Sequence, residues 1–306
     1  LLLLILAFAA WARAGDQPAP NRAILVRDAD VRVAPDESST QLGTSSRGRE
    51  LVIMAESHDW LNVMAQIEPR GEEATGWILN KGVVRTSTPN ADRIVFGEAS
   101  DSEDEASRPR GRRGAAQEAM RLYARLAEYF PKSPLAGEAA YRAADIKWQL
   151  ERNDVMTLPS AREEDPSARP QIDEDDMRDV IKKFPHTKWA DLAAFDLIDN
   201  KLCGDWMAES KCPERESEIY ERYVKEHPES PKAAEALYDA AWRQSALIEI
   251  YKTENDLGHS TQAQNKALAL GNQVATQFPQ SDWAYRATDL IYKIQQNIPT
   301  YGSAKE

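Results

Sequence analysis

Two hydrophobic patterns divide the chain. Between residues 23 and 87 apolar side chains come in short alternating runs, at 23–27, 31–33, 50–55, 60–65, 75–79 and 83–85. A period of two predicts strands with one buried face. Arg47-Gly48, Ser57-His58-Asp59 and the segment 68–73 with Pro69 and Gly71 supply turn chemistry between them. Residues 34–46 read as a loop. After residue 114 the period changes. Tyr123, Leu126, Ala127 and Phe130 repeat at helical spacing, as do Met177, Val180, Ile181 and Phe184.

The helical half contains one stretch in four variants: YARLAEYFPKSPLAGEAAY at 123–141, MRDVIKKFPHTKWADLAAF at 177–195, YERYVKEHPESPKAAEALY at 220–238 and GNQVATQFPQSDWAYRATD at 271–289. In each, a proline (Pro131, Pro185, Pro228, Pro279) stops a helix, because it lacks an N–H and excludes its predecessor from helical backbone. Two residues on, Ser133, Thr187, Ser230 and Ser281 are placed to accept from the free N–H groups of the next helix. That helix carries small residues, such as Ala136, Ala139, Ala140 and Ala143, where a close neighbour would lie. Trp189 and Trp283, beside that stripe, are expected in the core. The prolines are 54, 43 and 51 residues apart. A helix pair repeated in this way predicts an α-solenoid of about four pairs over 114–298.

The pattern at 220–238 resembles the tetratricopeptide-like repeats of outer-membrane assembly lipoproteins of the BamD type, and is similar to the tetratricopeptide tail of periplasmic cell-division coordinators. The landmarks Val31-Arg32-Val33-Ala34-Pro35, Leu42-Gly43, Gly48, Leu51-Val52, Trp60-Leu61-Asn62-Val63 and Gly76-Trp77-Ile78 resemble the bacterial SH3-type barrel. That resemblance implies a small closed β-barrel over 23–87 and a module for cell-wall or peptide binding. The expected fold is multidomain: an N-terminal SH3-like β-barrel followed by an all-α tetratricopeptide-like solenoid. Trp60 and Trp77 read either as core-packing side chains or as a ligand platform.

Composition bounds the partners. A net charge of −12 argues against nucleic acid, which demands a basic stripe. The first fourteen residues, LLLLILAFAAWARA, are too short to span a bilayer and end in an A-x-A pattern before Gly15. They read as part of a signal peptide cleaved between Ala14 and Gly15, or as a retained anchor. No cysteine follows the run, unlike a lipoprotein. Residues 88–113 carry acidic and then basic clusters with almost no apolar side chain after Phe96, and read as a disordered charged linker. A second polar insertion at 151–176 reads as a protruding loop. Its acidic run at 173–176 lacks the ligand spacing of a calcium loop and suits the start of a helix.

Cys203 and Cys212 are the only cysteines. In an exported chain they read as a local disulfide; two free thiols are the alternative. The four histidines, His58, His186, His227 and His259, fall at no metal spacing, and no phosphate loop or nucleophile elbow is present. These observations predict a periplasmic protein that is not an enzyme and holds no cofactor or metal. The expected function is an envelope adaptor that binds protein partners through its helical repeat. The alternative is a peptidoglycan-binding module that recruits or regulates a wall hydrolase.

Overall fold

The alternating runs become strands in the computed structural model, which describes residues 21–69 and 71–302. The expected signal segment, with Ala14 and Gly15, lies outside the described residues. Seven strands appear among those described: β1 (Arg22–Leu25), β2 (Ala29–Arg32), β3 (Gln41–Ser45), β4 (Glu50–Ser57), β5 (Trp60–Ile67), β6 (Glu72–Leu79) and β7 (Val83–Arg85). The helices are α1 (Ala91–Ser107), α2 (Ala115–Tyr129), α3 (Ala136–Val155), α4 (Asp175–Lys183), α5 (Lys188–Asp196), α6 (Lys211–Glu226), α7 (Ala233–Thr253), α8 (Leu257–Gln277) and α9 (Asp282–Gln295). The chain divides into two units, one ending at Ala139 and one starting at Ala140.

In the first unit the strands pair antiparallel in the order β3-β2-β6-β5-β4-β1-β7. This corrects the expected SH3-type closed barrel. β3 and β7 are the two edges and do not pair with each other, so the sheet is open. β3 itself lies inside the segment expected to be a loop. Both edges are short, which limits the unpaired backbone they present. Ala23, Leu25, Val31, Leu51, Leu61, Val63 and Ile78 fill one face, and each is fully buried. Complete burial of a valine, leucine or isoleucine side chain is worth roughly 1.5–3 kcal/mol.

The expected disordered linker is also corrected. Most of it is α1, whose Ala91, Val95, Ala99 and Ser102 form a buried stripe at helical spacing. Small side chains serve here because α1 lies close against α2, with Phe96 edge-on to Tyr123 at 5.4 Å. The hairpin of α1 and α2 is tied to the sheet by charge. The Tyr129 hydroxyl and Arg22 both donate to the Glu50 carboxylate. Burial pushes Glu50 up, but those two bonds outweigh it and hold the carboxyl below its ordinary value. Arg47 pairs with Glu98 of α1, and Arg121 of α2 donates to the Arg47 carbonyl at 3.0 Å.

The four proline junctions fold alike. The residues before the prolines adopt one backbone conformation: Phe130 at φ −124, ψ 54, Phe184 at −125, 52, His227 at −130, 59 and Phe278 at −126, 50. Each hydroxyl two residues beyond the proline accepts from a nearby N–H: Ser133 from Leu135, Thr187 from Ala190, Ser230 from Lys232 and Ser281 from Ala284. Local recurrence does not extend to a regular array, however. α4 and α5 have 9 residues each, whereas α7 and α8 have 21. The expected tetratricopeptide-like solenoid of the assembly-lipoprotein type is therefore corrected to a helical region of unequal helices.

In the second unit, Tyr220, Tyr223, Leu237, Ala240, Ala267 and Leu290 anchor a core between α6, α7, α8 and α9. Trp283 packs against it beside Tyr238, at 5.2 Å, and Trp189 packs half-buried on Tyr141. The insertion does not protrude. Two 3₁₀ turns, Pro159–Arg162 and Pro166–Ala168, fold it back on residues 199–204. Its acidic run meets Lys147, whose Nζ reaches Asp173 at 2.7 Å and Asp176 at 2.9 Å. Cys203 and Cys212 form a disulfide, as the sequence predicts, and no described cysteine is free.

Candidate functional site

Strand parity sorts the side chains of the first unit. Leu61, Val63 and Ile78 turn into the core, so their neighbours Trp60, Asn62, Trp77 and Leu79 turn to the opposite face. Register then aligns that face into rows. Ala55, Asn62, Trp77 and Arg32 lie side by side across β4, β5, β6 and β2, and Ser57, Trp60 and Leu79 form the next row. Trp60 and Trp77 are thus diagonal neighbours on one partly exposed surface, and neither belongs to the sheet's buried core. Both side chains are half-buried.

One end of this face is covered and the other is open. Glu50, Ile24 and Val84 share a row at the β4–β1–β7 end, where Ile24 and Val84 are buried and Tyr129 of α2 reaches Glu50. At the β5–β6–β2 end, Met64 remains exposed. Gly76 permits the close approach of β2 there. A Cβ at that position would sit 2.6 Å from Val31 Cγ1 and 2.7 Å from the Arg32 carbonyl.

A cavity of about 390 Å³ opens beside Trp60 and Leu79, lined by Arg27, Asp28, Ala29, Asp30, Arg32, Glu37 and Lys81. Its walls alternate in charge and are held in place. Arg32 donates through Nη1 to the Ser39 carbonyl at 2.7 Å. Asp30 Oδ1 accepts from Gln41 at 2.9 Å and from the Thr44 hydroxyl at 3.2 Å. The loop that carries Glu37 is fixed by Asp36, which accepts from the Ser38 amide at 2.8 Å and its hydroxyl at 3.0 Å. Those bonds hold the Asp36 carboxyl below its ordinary value. Gly82, at φ +71, leaves room for the stem of Arg27, whose Cγ would be 2.3 Å from a Cβ there.

Two aromatic faces flanked by fixed donors and acceptors can stack on ring faces and bond the hydroxyls or amides around them. Sequence reasoning found the tryptophans but not Arg27, Arg32, Asn62 or Lys81. The signal for Asn62 was present, since a polar residue two positions from Trp60 on one strand shares its face. The expected disulfide lies elsewhere, in the second unit. No group of three or more metal-ligating side chains is gathered among the described residues.

No family model matches the chain. No curated protein matches it either. Matches among solved structures include a DHF79 filament, 15% identical over 65% of this chain and 95% of its own. Its TM-score of 0.19 means that the two backbones do not share a fold, and the likeness carries no argument.

Proposed function

We propose that this chain is a non-catalytic binding protein of the cell envelope, whose open sheet face takes a glycan strand of the cell wall. The observation that carries this reading is the pairing of Trp60 and Trp77 on one partly exposed face beside a polar cavity. Sugar rings present C–H faces to indole rings and hydroxyls to the flanking Arg32, Asp30, Glu37 and Lys81. The Cys203–Cys212 disulfide supports an oxidising compartment, and no described helix is long and apolar enough to cross a membrane. The test is sedimentation of the full chain with purified peptidoglycan. The wild type should pellet, while Trp60→Ala/Trp77→Ala should stay in solution with an unchanged melting temperature. A wild type that does not pellet, or a double variant that pellets equally well, sinks the reading.

A second reading, an adaptor that holds a protein partner through its helical region, is favoured by α9. Tyr285 and Tyr292 lie two turns apart on it and are 68% and 57% exposed. Exposed aromatics at this spacing suit a protein contact. Crosslinking in envelope preparations, with Tyr285→Ala/Tyr292→Ala as control, separates the two readings. The adaptor reading fails if both chains capture the same partners in equal yield.

A further inference from the structure

The insertion that follows α3 encloses a second cavity, in the other unit. It lies between the 3₁₀ turns and residues 199–204 and has a volume of about 220 Å³. Its floor is buried and hydrogen-bonded. Ile172 and Asn200 are buried there, and the Asn200 amide clasps the Ile172 backbone, accepting from its N at 3.0 Å and donating to its O at 2.9 Å. Three guanidinium groups line the cavity, those of Arg152, Arg162 and Arg169, against one carboxylate, Asp199. In a chain of net charge −12, this is a local excess of positive charge.

The three arginines are committed to different degrees. Arg169 belongs to the fold, since its Nε donates to the Ala161 carbonyl at 3.0 Å and its Nη1 to the Leu202 carbonyl. Arg152 spends only Nε, on Asp199 Oδ2 at 2.9 Å. The Arg162 carbonyl accepts from the Asp205 amide at 3.1 Å, but its guanidinium has no hydrogen-bond or ion-pair partner among the described residues and is exposed at the rim. Two sets of terminal N–H groups are therefore available at the mouth, above an apolar wall.

We propose that this cavity binds a small organic monoanion, a carboxylate on an apolar body. Arg162 and the terminal nitrogens of Arg152 take the carboxylate, which matches the planar fork of a guanidinium. Val155, Met156 and Ile172 take the body. Asp199 decides against a dianion such as phosphate, because its charge in the lining repels a second negative charge. The volume lies below the roughly 300–1,000 Å³ of sites for drug-sized ligands, so the body has only a few carbons. The site is independent of the sheet face and of the glycan reading.

The test uses the full, oxidised chain with hexanoate, hexan-1-ol and inorganic phosphate as probes in titration calorimetry. Hexanoate should saturate one site, with the alcohol and phosphate each weaker by about tenfold or more. Arg162→Gln should weaken hexanoate by about tenfold at an unchanged melting temperature, because that side chain holds nothing else. Met156→Asp, at an exposed rim position, should weaken it by a similar factor through repulsion. The proposal is overturned by no saturable binding, by hexan-1-ol or phosphate binding as tightly as hexanoate, or by an unchanged affinity in both folded variants.

Discussion

The Glu216 carboxylate meets the Arg243 guanidinium at 2.9 Å, with the two side chains only 2% and 10% exposed. The same carboxylate accepts from the Cys203 amide at 2.9 Å and the Trp206 indole N–H at 3.2 Å. Arg243 in turn lies over the ring of Tyr220, at 4.5 Å, and near those of Trp242 and Trp206. One buried anion thus joins α6, α7 and the disulfide loop.

Removing that anion should be costly. Glu216→Ala leaves a guanidinium, an indole N–H and a backbone amide unpartnered in the core. The expected loss is about 3–5 kcal/mol, the usual cost of breaking a buried ion pair from one side. Replacing both partners, as Glu216→Leu/Arg243→Met, should recover part of the loss, because no charge is then stranded. Urea unfolding of the two variants beside the wild type checks this. A loss under about 1 kcal/mol for Glu216→Ala would show that water reaches the pair.

The disulfide contributes separately. It joins cysteines 9 positions apart, and closing so short a loop should add about 2–3 kcal/mol through the unfolded chain. Cys203→Ser/Cys212→Ser should unfold at correspondingly lower urea. Alkylation of the untreated protein in denaturant should add no mass, and alkylation after reduction should add two labels. Labels without reductant would mean that the thiols are free in the protein as made.

How much of this was legible in the sequence depended on range. The proline junctions were, because a cap and a pre-proline residue act within a few positions, and the same backbone angles recur at Phe130, Phe184, His227 and Phe278. The disulfide was too, being local. β3 was not, since an edge strand reading QLGTS holds a single large apolar residue and shows no apolar alternation. α1 was missed because its buried stripe is built largely of alanine and serine, which a search for large apolar residues passes over. The order of strand landmarks reports which strands exist. It does not report whether the edges close, and the barrel expectation failed there. The arginine cavity needed the insertion to fold back onto residues 199–204, a contact that no local spacing encodes.

Gly76 tests how tightly the candidate glycan face is built. Its missing Cβ is what lets β2 lie against β6, with Val31 Cγ1 and the Arg32 carbonyl inside contact distance of the absent atom. Gly76→Ala must push β2 away or displace Val31 from the core. The expected cost is about 1–3 kcal/mol, the range for an overpacked core position. Because Arg32 and Trp77 are register partners on that seam, peptidoglycan sedimentation should weaken as well. A variant as stable as the wild type would show that β2 adjusts at no cost.

Asp196 ends α5 among other acids. Burial pushes its carboxyl up to about 7, with Asp145 and Asp199 adding to the rise, against Lys232 and a 3.0 Å hydrogen bond from the Tyr141 hydroxyl. The folded protein therefore holds a proton on Asp196 at pH values where the unfolded chain, near the ordinary 3.8, has released it. The folded state thus binds more protons between about pH 4 and pH 7, and this group's contribution to stability falls as pH rises through that window. Asp239, raised to about 6 by burial, acts in the same direction. Asp196→Asn isolates the first group, since its amide oxygen can still accept from Tyr141 and does not ionise. The variant should match the wild type near pH 4 and exceed it at pH 8, by on the order of 1–3 kcal/mol. Urea unfolding of both proteins at pH 4.5, 6 and 8 measures the gap. A difference that stays constant across the three would mean that Asp196 is ionised throughout and that its neighbours solvate the charge.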